Sequence, residues 1–507
     1  MQPIALFRSP RWLILAGVVH ATAAFFFLRH GALNPDEGFY AAAARAVWQG
    51  EMPYRDFGYT QTPLLPYVNG ALLALTGHGL FEQRTINGLW TAAALALAAV
   101  WVARRAGVAA ALVLALLFTL SAPWMYFMHL GKTYAFTGFL ATVAAWVWLE
   151  WPAGLKKSAL LGLLGVVGTG CRLPVAPFFG LLWLAAFADG WRPDRRSLAL
   201  ATGLLLAFAV ALLLPFYLAA PENVLFWVFE FHRISVPLKH WQLAWQEIVT
   251  LAPALWVATA GVGVLLLLRR ATLPRRAAVL AVAALGTLAA NLLPSGVYEE
   301  YGVPLLLPLA MAVAAAWREA RVPPRPVLAV LLAVHLLATP AILWRDFPNR
   351  RLSPSAWLTP NAPRLNPDLP AQLAGARQAV RALGPEHAPF VGSNLILALE
   401  ANRSVPARLR MGPFSVTTTL PETIAARLHL ATPAHLDALL SDPAIPVLAF
   451  FPHPQLNYGW TLPTYERLRP EISRRWLEVY RRDFSLAYQA GDFLVLARTP
   501  RSAGVTR

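Results

Sequence analysis

A single cysteine, Cys171, stands in a chain of 507 residues, which excludes an internal disulfide framework and any metal or redox site built from several thiolates. Charge is scarce too: Asp, Glu, Lys and Arg make up 14% of the chain, against about a quarter in an ordinary soluble domain. With 57% of residues in the hydrophobic class, that scarcity excludes a disordered chain and argues against one soluble globule. No internal repeat is visible, so an inverted-repeat transporter is not favoured. Beyond the Ala and Leu that membrane helices need, there is no low-complexity tract.

What is present is a series of apolar runs of about 15 to 23 residues, most of them long enough to cross a hydrocarbon core about 30 Å thick. They fall near 12–28, 81–103, 107–124, 132–150, 158–172, 174–188, 197–218, 247–268, 277–293, 302–317 and 326–344. The expectation is a multi-spanning α-helical membrane protein with about eleven transmembrane helices. Residues 12–28, preceded by Arg8 and Arg11, have no clear cleavage site after them and read as an uncleaved first helix. The run Pro63–Thr76 is too short to span comfortably and reads as re-entrant or interfacial.

The formal net charge of +17 would suggest nucleic acid in a soluble protein; here its distribution matters more than its sum. If Pro63–Thr76 does not cross, Arg104-Arg105, Lys156-Lys157, Arg195-Arg196, Arg269-Arg270, Arg275-Arg276 and Arg318, Arg321 and Arg325 share the side of the N-terminus. The positive-inside rule makes that side cytoplasmic. No nucleic-acid partner is expected. The opposite face, periplasmic in a bacterial inner membrane, then carries the first outer loop and everything after Arg345, beyond reach of cytosolic nucleotides.

After Asp346 the spanning runs cease and prolines cluster from Pro348 to Pro370. The division is therefore 1–344, a membrane domain with outer-loop surface helices at 36–76, and 345–507, a Pro-rich linker leading into a soluble α/β domain. Helical spacing covers Pro370–Leu383 and Pro470–Arg481; strands are expected at Pro389–Val391, Val447–Phe451, Phe484–Gln489 and Phe493–Ala497, the last two turned at Gly491-Asp492. Gly384–His387 reads as a turn, and nothing in this part has the pattern of a nucleophile, metal cage or phosphate loop.

The most informative stretch is Asn34-Pro35-Asp36-Glu37-Gly38-Phe39-Tyr40, followed by Pro53-Tyr54-Arg55-Asp56-Phe57 and Gln61-Thr62-Pro63-Leu64-Leu65-Pro66-Tyr67. Two adjacent carboxylates at a helix start are as readily helix caps as catalysts. The order of first span, Asp-Glu at the start of the first outer loop, Pro-Tyr-Arg-Asp-Phe and a proline-containing surface helix resembles the polyprenyl-phosphate-sugar-dependent glycosyltransferases of the GT-C fold. Within them it is most similar to the ArnT-like and protein-mannosyltransferase-like (glycosyltransferase family 39-like) group. The resemblance implies an inverting hexosyl- or pentosyltransferase working from a polyprenyl-phosphate-linked sugar donor on a lipid, glycan or protein acceptor, amid membrane lipid. It also implies Asp36 as the base, with Glu37 its supporting neighbour.

A hydroxyl acceptor needs such a base, whereas lipid phosphate leaves as an anion and needs cations rather than the second carboxylic acid of glycoside hydrolysis. The candidates are Arg55, Lys132, Arg172, Arg233 and Lys239, with His129 and His232 beside them. Tyr301, in Val297–Pro304, resembles the family's tyrosine before a proline-rich helix and is a candidate for donor phosphate or sugar. Trp227, Phe231, Trp241 and Trp245 in the loop 222–246 are candidates for a cover over the lipid. The chain departs from the family by having Gln61 and Thr62 where a lysine is usual, and no acid at the outer start of the fourth span. No cofactor is expected, and a bound divalent metal is doubtful at that position. The competing readings are a lipid-linked sugar flippase or carrier without transferase activity, and a membrane scaffold with a periplasmic binding domain.

Overall fold

The computed structural model describes residues 11–189, 195–234, 252–268, 273–291, 299–319, 329–331, 333–334, 366, 368–451, 460–461, 466–467 and 478–499. Apolar runs dictate helices, and helices follow in order: α1 (Arg11–His30), α2 (Pro35–Trp48), α3 (Leu64–Thr76), α4 (Leu80–Ala106), α5 (Val108–Thr119), α6 (Ala122–His129), α7 (Tyr134–Glu150), α8 (Leu155–Cys171), α9 (Ala176–Ala188) and α10 (Arg195–Ala219). After a helical stretch at 221–234 come α11 (Pro253–Leu268), α12 (Arg275–Ala290) and α13 (Leu306–Glu319). A helix lies at each expected span up to residue 319; the expected span 326–344 lies mostly outside the described residues.

By length and composition, three of these helical segments suffice to cross a membrane: Leu80–Ala106, Leu198–Ala219 and Glu300–Trp317. The expected span 107–124 differs. It breaks after Thr119, and the following short helix turns away by 74°. Ser121 accepts the Trp124 amide at 3.4 Å and Pro123 sits in the first turn of α6, a pattern that starts a new helix rather than continuing the old one. Gly107, at φ 92°, makes the reversal between α4 and α5 that a side chain would strain.

The long α4 packs on α7, where the Trp90 ring meets those of Phe136 and Phe139 at centroid distances of 4.9 and 5.1 Å. Members of three basic doublets, Arg105, Lys157 and Arg276, gather at one end of the bundle. There Arg105 meets Glu150 at 2.6 Å, and Lys157 and Arg276 both meet Asp189 at 2.7 Å. The outward faces of α1 and α10 expose Ile14, Leu15, Phe25, Leu204, Leu206 and Leu218, an apolar coat rather than a solvated one.

The C-terminal part is an α/β unit, as the alternating pattern predicts. Strands β1 (Phe390–Val391), β2 (Val447–Phe450), β5 (Phe484–Ala490) and β6 (Phe493–Arg498) form a sheet in the order β1-β2-β6-β5. β1 and β2 are parallel and the other pairs antiparallel, with Val447 opposite Ala497. β3 (Trp460–Thr461) and β4 (Glu466–Arg467) make a separate ribbon. Helix α14 (Leu369–Ala382) covers one face through Leu373, Ala376 and Val380, while Leu436 and Leu440 cover the other. Gly384–His387 is a turn, as expected; most of Pro470–Arg481 lies outside the described residues.

This unit docks on α2. The short helix α15 (Leu395–Glu400) lies so close to Gly38 that a Cβ there would come within 2.9 Å of Leu395 Cβ. Arg45 donates to Asn402 Oδ1 at 2.9 Å, and the Leu80 amide donates to Glu400 at 2.9 Å. Thus α2, read as a surface helix, is buried on nearly all sides, and its acidic N-terminus is held between the bundle and the α/β unit.

Candidate active site

The N-terminus of α2 divides the two adjacent carboxylates between two tasks. Asn34 caps the helix, its side chain accepting the Asp36 amide at 3.1 Å, and Glu37 closes the reciprocal half by accepting the Asn34 amide at 3.0 Å. Glu37 is fully buried, and Arg84 of α4 grips it through Nε and Nη2, both at 2.7 Å. The Gly131 amide donates to the same carboxylate at 3.1 Å, and Arg84 also donates to the carbonyls of Gly31 and Ala32. Glu37 is therefore a latch that pins α2 to the bundle and to the turn before α7.

With capping assigned to Asn34 and Glu37, the Asp36 carboxylate is left to face elsewhere. Its Oδ2 lies 2.8 Å from Lys132 Nζ, and its side chain keeps 26% exposure. Oδ1 has no hydrogen-bond partner among the described residues. Lys132 is buried in the turn that opens α7 and reaches a second carboxylate, Glu300 Oε1, at 3.2 Å. Glu300 comes from the 3-10 turn Glu299–Leu305 that leads into α13. Three distant segments thus place acid, base and acid at one point.

Arg172 completes the cluster. It sits at the end of α8, only 2% exposed, and its Nη1 donates to Thr133 Oγ1 at 3.0 Å. Its guanidinium lies over the rings of Tyr134 and Tyr301, with centroids at 4.5 and 4.8 Å. Nε and Nη2 have no partner among the described residues. That is the same paired edge with which Arg84 holds Glu37; in Arg172 it is buried and meets no acceptor among the described residues. Leaving such donors unpaired costs about 1–3 kcal/mol each, so the arrangement asks for an anion. A snorkelling arginine would instead carry its head to water.

Tyr40, one turn along α2 from Asp36, is buried beside this cluster. Burial pushes its phenol above the usual range, and the nearby Lys132 charge opposes that shift. It holds a proton at physiological pH and can donate a hydrogen bond. The positions i and i+4 on one helix face bring Asp36 and Tyr40 to the same side.

The structure thus brings together Asp36, Lys132, Arg172 and Tyr301, with Glu37 directly behind. It does not bring Arg55. Tyr54, at φ 69°, turns its ring inward, and the next side chain, Arg55, is exposed and paired with Asp56 at 2.7 Å. His129 is buried on the far side of the turn, its Nδ1 against the Met125 carbonyl at 2.7 Å and its ring 6.5 Å from that of His20. The Arg233 side chain, and with it Trp241 and Trp245, lies outside the described residues. Trp227 donates to the Leu428 carbonyl at 3.1 Å and packs on Gly58, so it anchors the α/β unit. Phe231 packs edge-on against Phe414 of the same unit.

Sequence reasoning missed Arg84, Tyr40, Tyr134 and Glu300 as members of the site and its support. For Arg84 a signal existed: a charge inside an otherwise apolar span, on the stripe Gln83, Asn87 and Thr91. Among the described residues no group of three or more His, Cys, Asp or Glu comes together to hold a metal.

No family model matches the sequence, and no curated protein does. Solved structures do. ArnT from Cupriavidus metallidurans bound to undecaprenyl phosphate aligns with a TM-score of 0.64 at 15% identity, over 98% of this chain and 99% of that one. The same protein in the apo state gives 0.65 at 15% identity, over 96% and 98%. The archaeal oligosaccharyltransferase AglB from Archaeoglobus fulgidus, solved with an inhibitory peptide and a dolichol-phosphate, reaches 0.44 at 12% identity, over 87% of this chain and 69% of that one. At this identity the likeness is one of architecture, carried by the two ArnT structures end to end: the chain has the GT-C fold of ArnT.

Proposed function

We propose that this chain is an integral membrane glycosyltransferase that moves a sugar from a polyprenyl phosphate to an acceptor at the periplasmic face of a bacterial inner membrane, with inversion at the anomeric carbon. The observation that carries the reading is the buried Nε–Nη2 edge of Arg172, unpaired among the described residues, in the cluster where Lys132, next to the Thr133 that Arg172 bonds, meets Asp36. A phosphate oxygen pair fits that edge bidentately. An acceptor hydroxyl fits Asp36 Oδ1.

In the reaction the acceptor oxygen forms its bond to the anomeric carbon as Asp36 takes the hydroxyl proton. The bond from that carbon to the phosphate oxygen breaks, and its electron pair stays on the phosphate, where Arg172 stabilises it. No carboxylic acid is needed on the leaving side, and no ATP, because the donor is already activated. Tyr134 and Tyr301 pack against the guanidinium, Lys132 and Glu300 fix the direction of Asp36, and Glu37 with Arg84 fixes the backbone from which Asp36 projects. The fold of ArnT, one of whose structures holds undecaprenyl phosphate, is consistent with a polyprenyl carrier.

In this reading residues 1–344 form the membrane domain, with about eleven spans, and 345–507 the periplasmic unit, which caps the site and positions the acceptor. The gathering of Arg105, Lys157 and Arg276 at the end of the bundle opposite Asp36 supports a cytoplasmic N-terminus. Cysteine labelling tests it: Arg269 and Glu299 must be reached from opposite sides. The test of function is transfer by the purified protein in proteoliposomes, from a panel of radiolabelled polyprenyl-phosphate hexoses and pentoses to membrane extract. Label must move to the acceptor fraction with wild type; label that crosses the bilayer while still attached to its lipid would instead identify a flippase.

A further inference from the structure

We propose that the Lys132 ammonium is the resident cation of this site, occupying the point between Asp36 and Glu300 at which a divalent ion would otherwise sit. The inference deepens the transferase reading and rests on it for its consequence in turnover, though the cation site stands on geometry alone.

Asp36 and Glu300 come from unrelated segments, and bringing two carboxylates to one buried point is unfavourable unless a cation lies between them. Lys132 Nζ is that cation, at 2.8 Å from one and 3.2 Å from the other, with the Tyr134 ring 5.5 Å away. The ammonium is almost wholly buried, so water does not share the work. Its single charge answers one of the two carboxylate charges, and Arg172, 4.5 Å from the Tyr134 ring centroid, is paired with neither carboxylate among the described residues.

The donor set also fits a metal poorly. Hard divalent cations take six or more oxygen ligands, or at least several carboxylates with room for water. Here two carboxylates converge, and the point between them already holds a positive charge that repels any metal. The division of labour follows: Lys132 orients the base, and Arg172 is left to receive the phosphate.

The test uses the full chain in detergent, stripped with EDTA and titrated with Mn2+, with bound ion read by electron paramagnetic resonance. Wild type is expected to hold no Mn2+ that Glu300→Gln alters. Lys132→Ala opens the space between the carboxylates and is expected to bind one Mn2+ per chain, weakened about tenfold or more by adding Glu300→Gln. Wild type binding one Mn2+ that Glu300→Gln weakens would overturn the proposal, and so would a monodisperse Lys132→Ala protein that binds none. If Lys132→Ala fails to fold, wild-type turnover decides: transfer unchanged by EDTA supports the resident ammonium, and transfer abolished by EDTA and restored by Mn2+ overturns it. Absence of transfer from every donor, with or without metal, would instead sink the transferase reading and leave the Mn2+ result standing.

Discussion

Two buried arginines, Arg84 and Arg172, offer a direct comparison, because each presents the same Nε–Nη2 edge in the same bundle and only one of them fills it with protein. Replacing Arg84 by Met leaves Glu37 charged, buried and unpaired, a change that costs about 3–5 kcal/mol. Replacing Arg172 by Met loses one bond to Thr133, about 1 kcal/mol, and contacts with two rings, about 1–2 kcal/mol each, while relieving two unpaired donors worth about 1–3 kcal/mol each. Those terms nearly cancel. The stability of the Arg172→Met protein should therefore stay within about 2 kcal/mol of wild type. Binding should not. Two charge-assisted bonds to phosphate are worth about 1.5–3 kcal/mol each. The lower bound, about 3 kcal/mol, is already roughly a hundredfold in affinity at about 1.4 kcal/mol per tenfold. Thermal unfolding in detergent gives the first quantity, and titration with undecaprenyl phosphate, followed by tryptophan fluorescence, gives the second. If Arg172→Met unfolds as readily as Arg84→Met and binds the lipid phosphate as wild type does, the guanidinium is a structural strut and the reasoning fails.

Other perturbations separate support from chemistry. Glu37→Gln should lower the unfolding midpoint by removing one charge of the Arg84 latch, an effect of about 3 kcal/mol, and Asn34→Ala should cost about 1 kcal/mol as a lost cap. Gly38→Ala places a Cβ 2.9 Å from Leu395 Cβ and should loosen the α/β unit, read as faster proteolysis after Leu369. Asp492 at the β5–β6 turn accepts from the Leu33 amide at 3.4 Å, and burial raises its carboxyl above the ordinary carboxylate range. A raised acid is stabilising while protonated, so this contribution is full below the unfolded value of 3.8 and is lost as pH rises through the folded one. Asp492→Asn should flatten the fall in unfolding temperature over that window.

Much of the architecture was legible because membrane helices and half-buried strands have strong periodicity: the hairpin at Gly491-Asp492, the turn at Cys171-Arg172 and the helix Leu64–Thr76 all follow from local pattern. The break at Leu120–Ser121 was not, since the apolar run continues across it while Ser121 and Pro123 restart the helix. Within the site, the chain order pointed to Asp36. It did not separate Asp36 from Glu37, because the partner that claims Glu37, Arg84, lies on another helix. Glu300 and Tyr301 read equally well as an interfacial turn, since their meeting with Lys132 and Arg172 joins α2, α7, α8 and α13 through contacts no local pattern encodes. Arg55 illustrates the converse: a basic residue inside the most family-like motif is turned outward by the left-handed Tyr54 beside it.

The proton acceptor is tested most directly by single-turnover transfer with Asp36→Asn, in proteoliposomes preloaded with the labelled donor that wild type uses. Loss of a positioned base predicts a rate lower by about 10²–10⁴-fold, with undecaprenyl phosphate binding and the unfolding midpoint unchanged. Turnover equal to wild type would remove Asp36 from the chemistry and contradict the proposed mechanism.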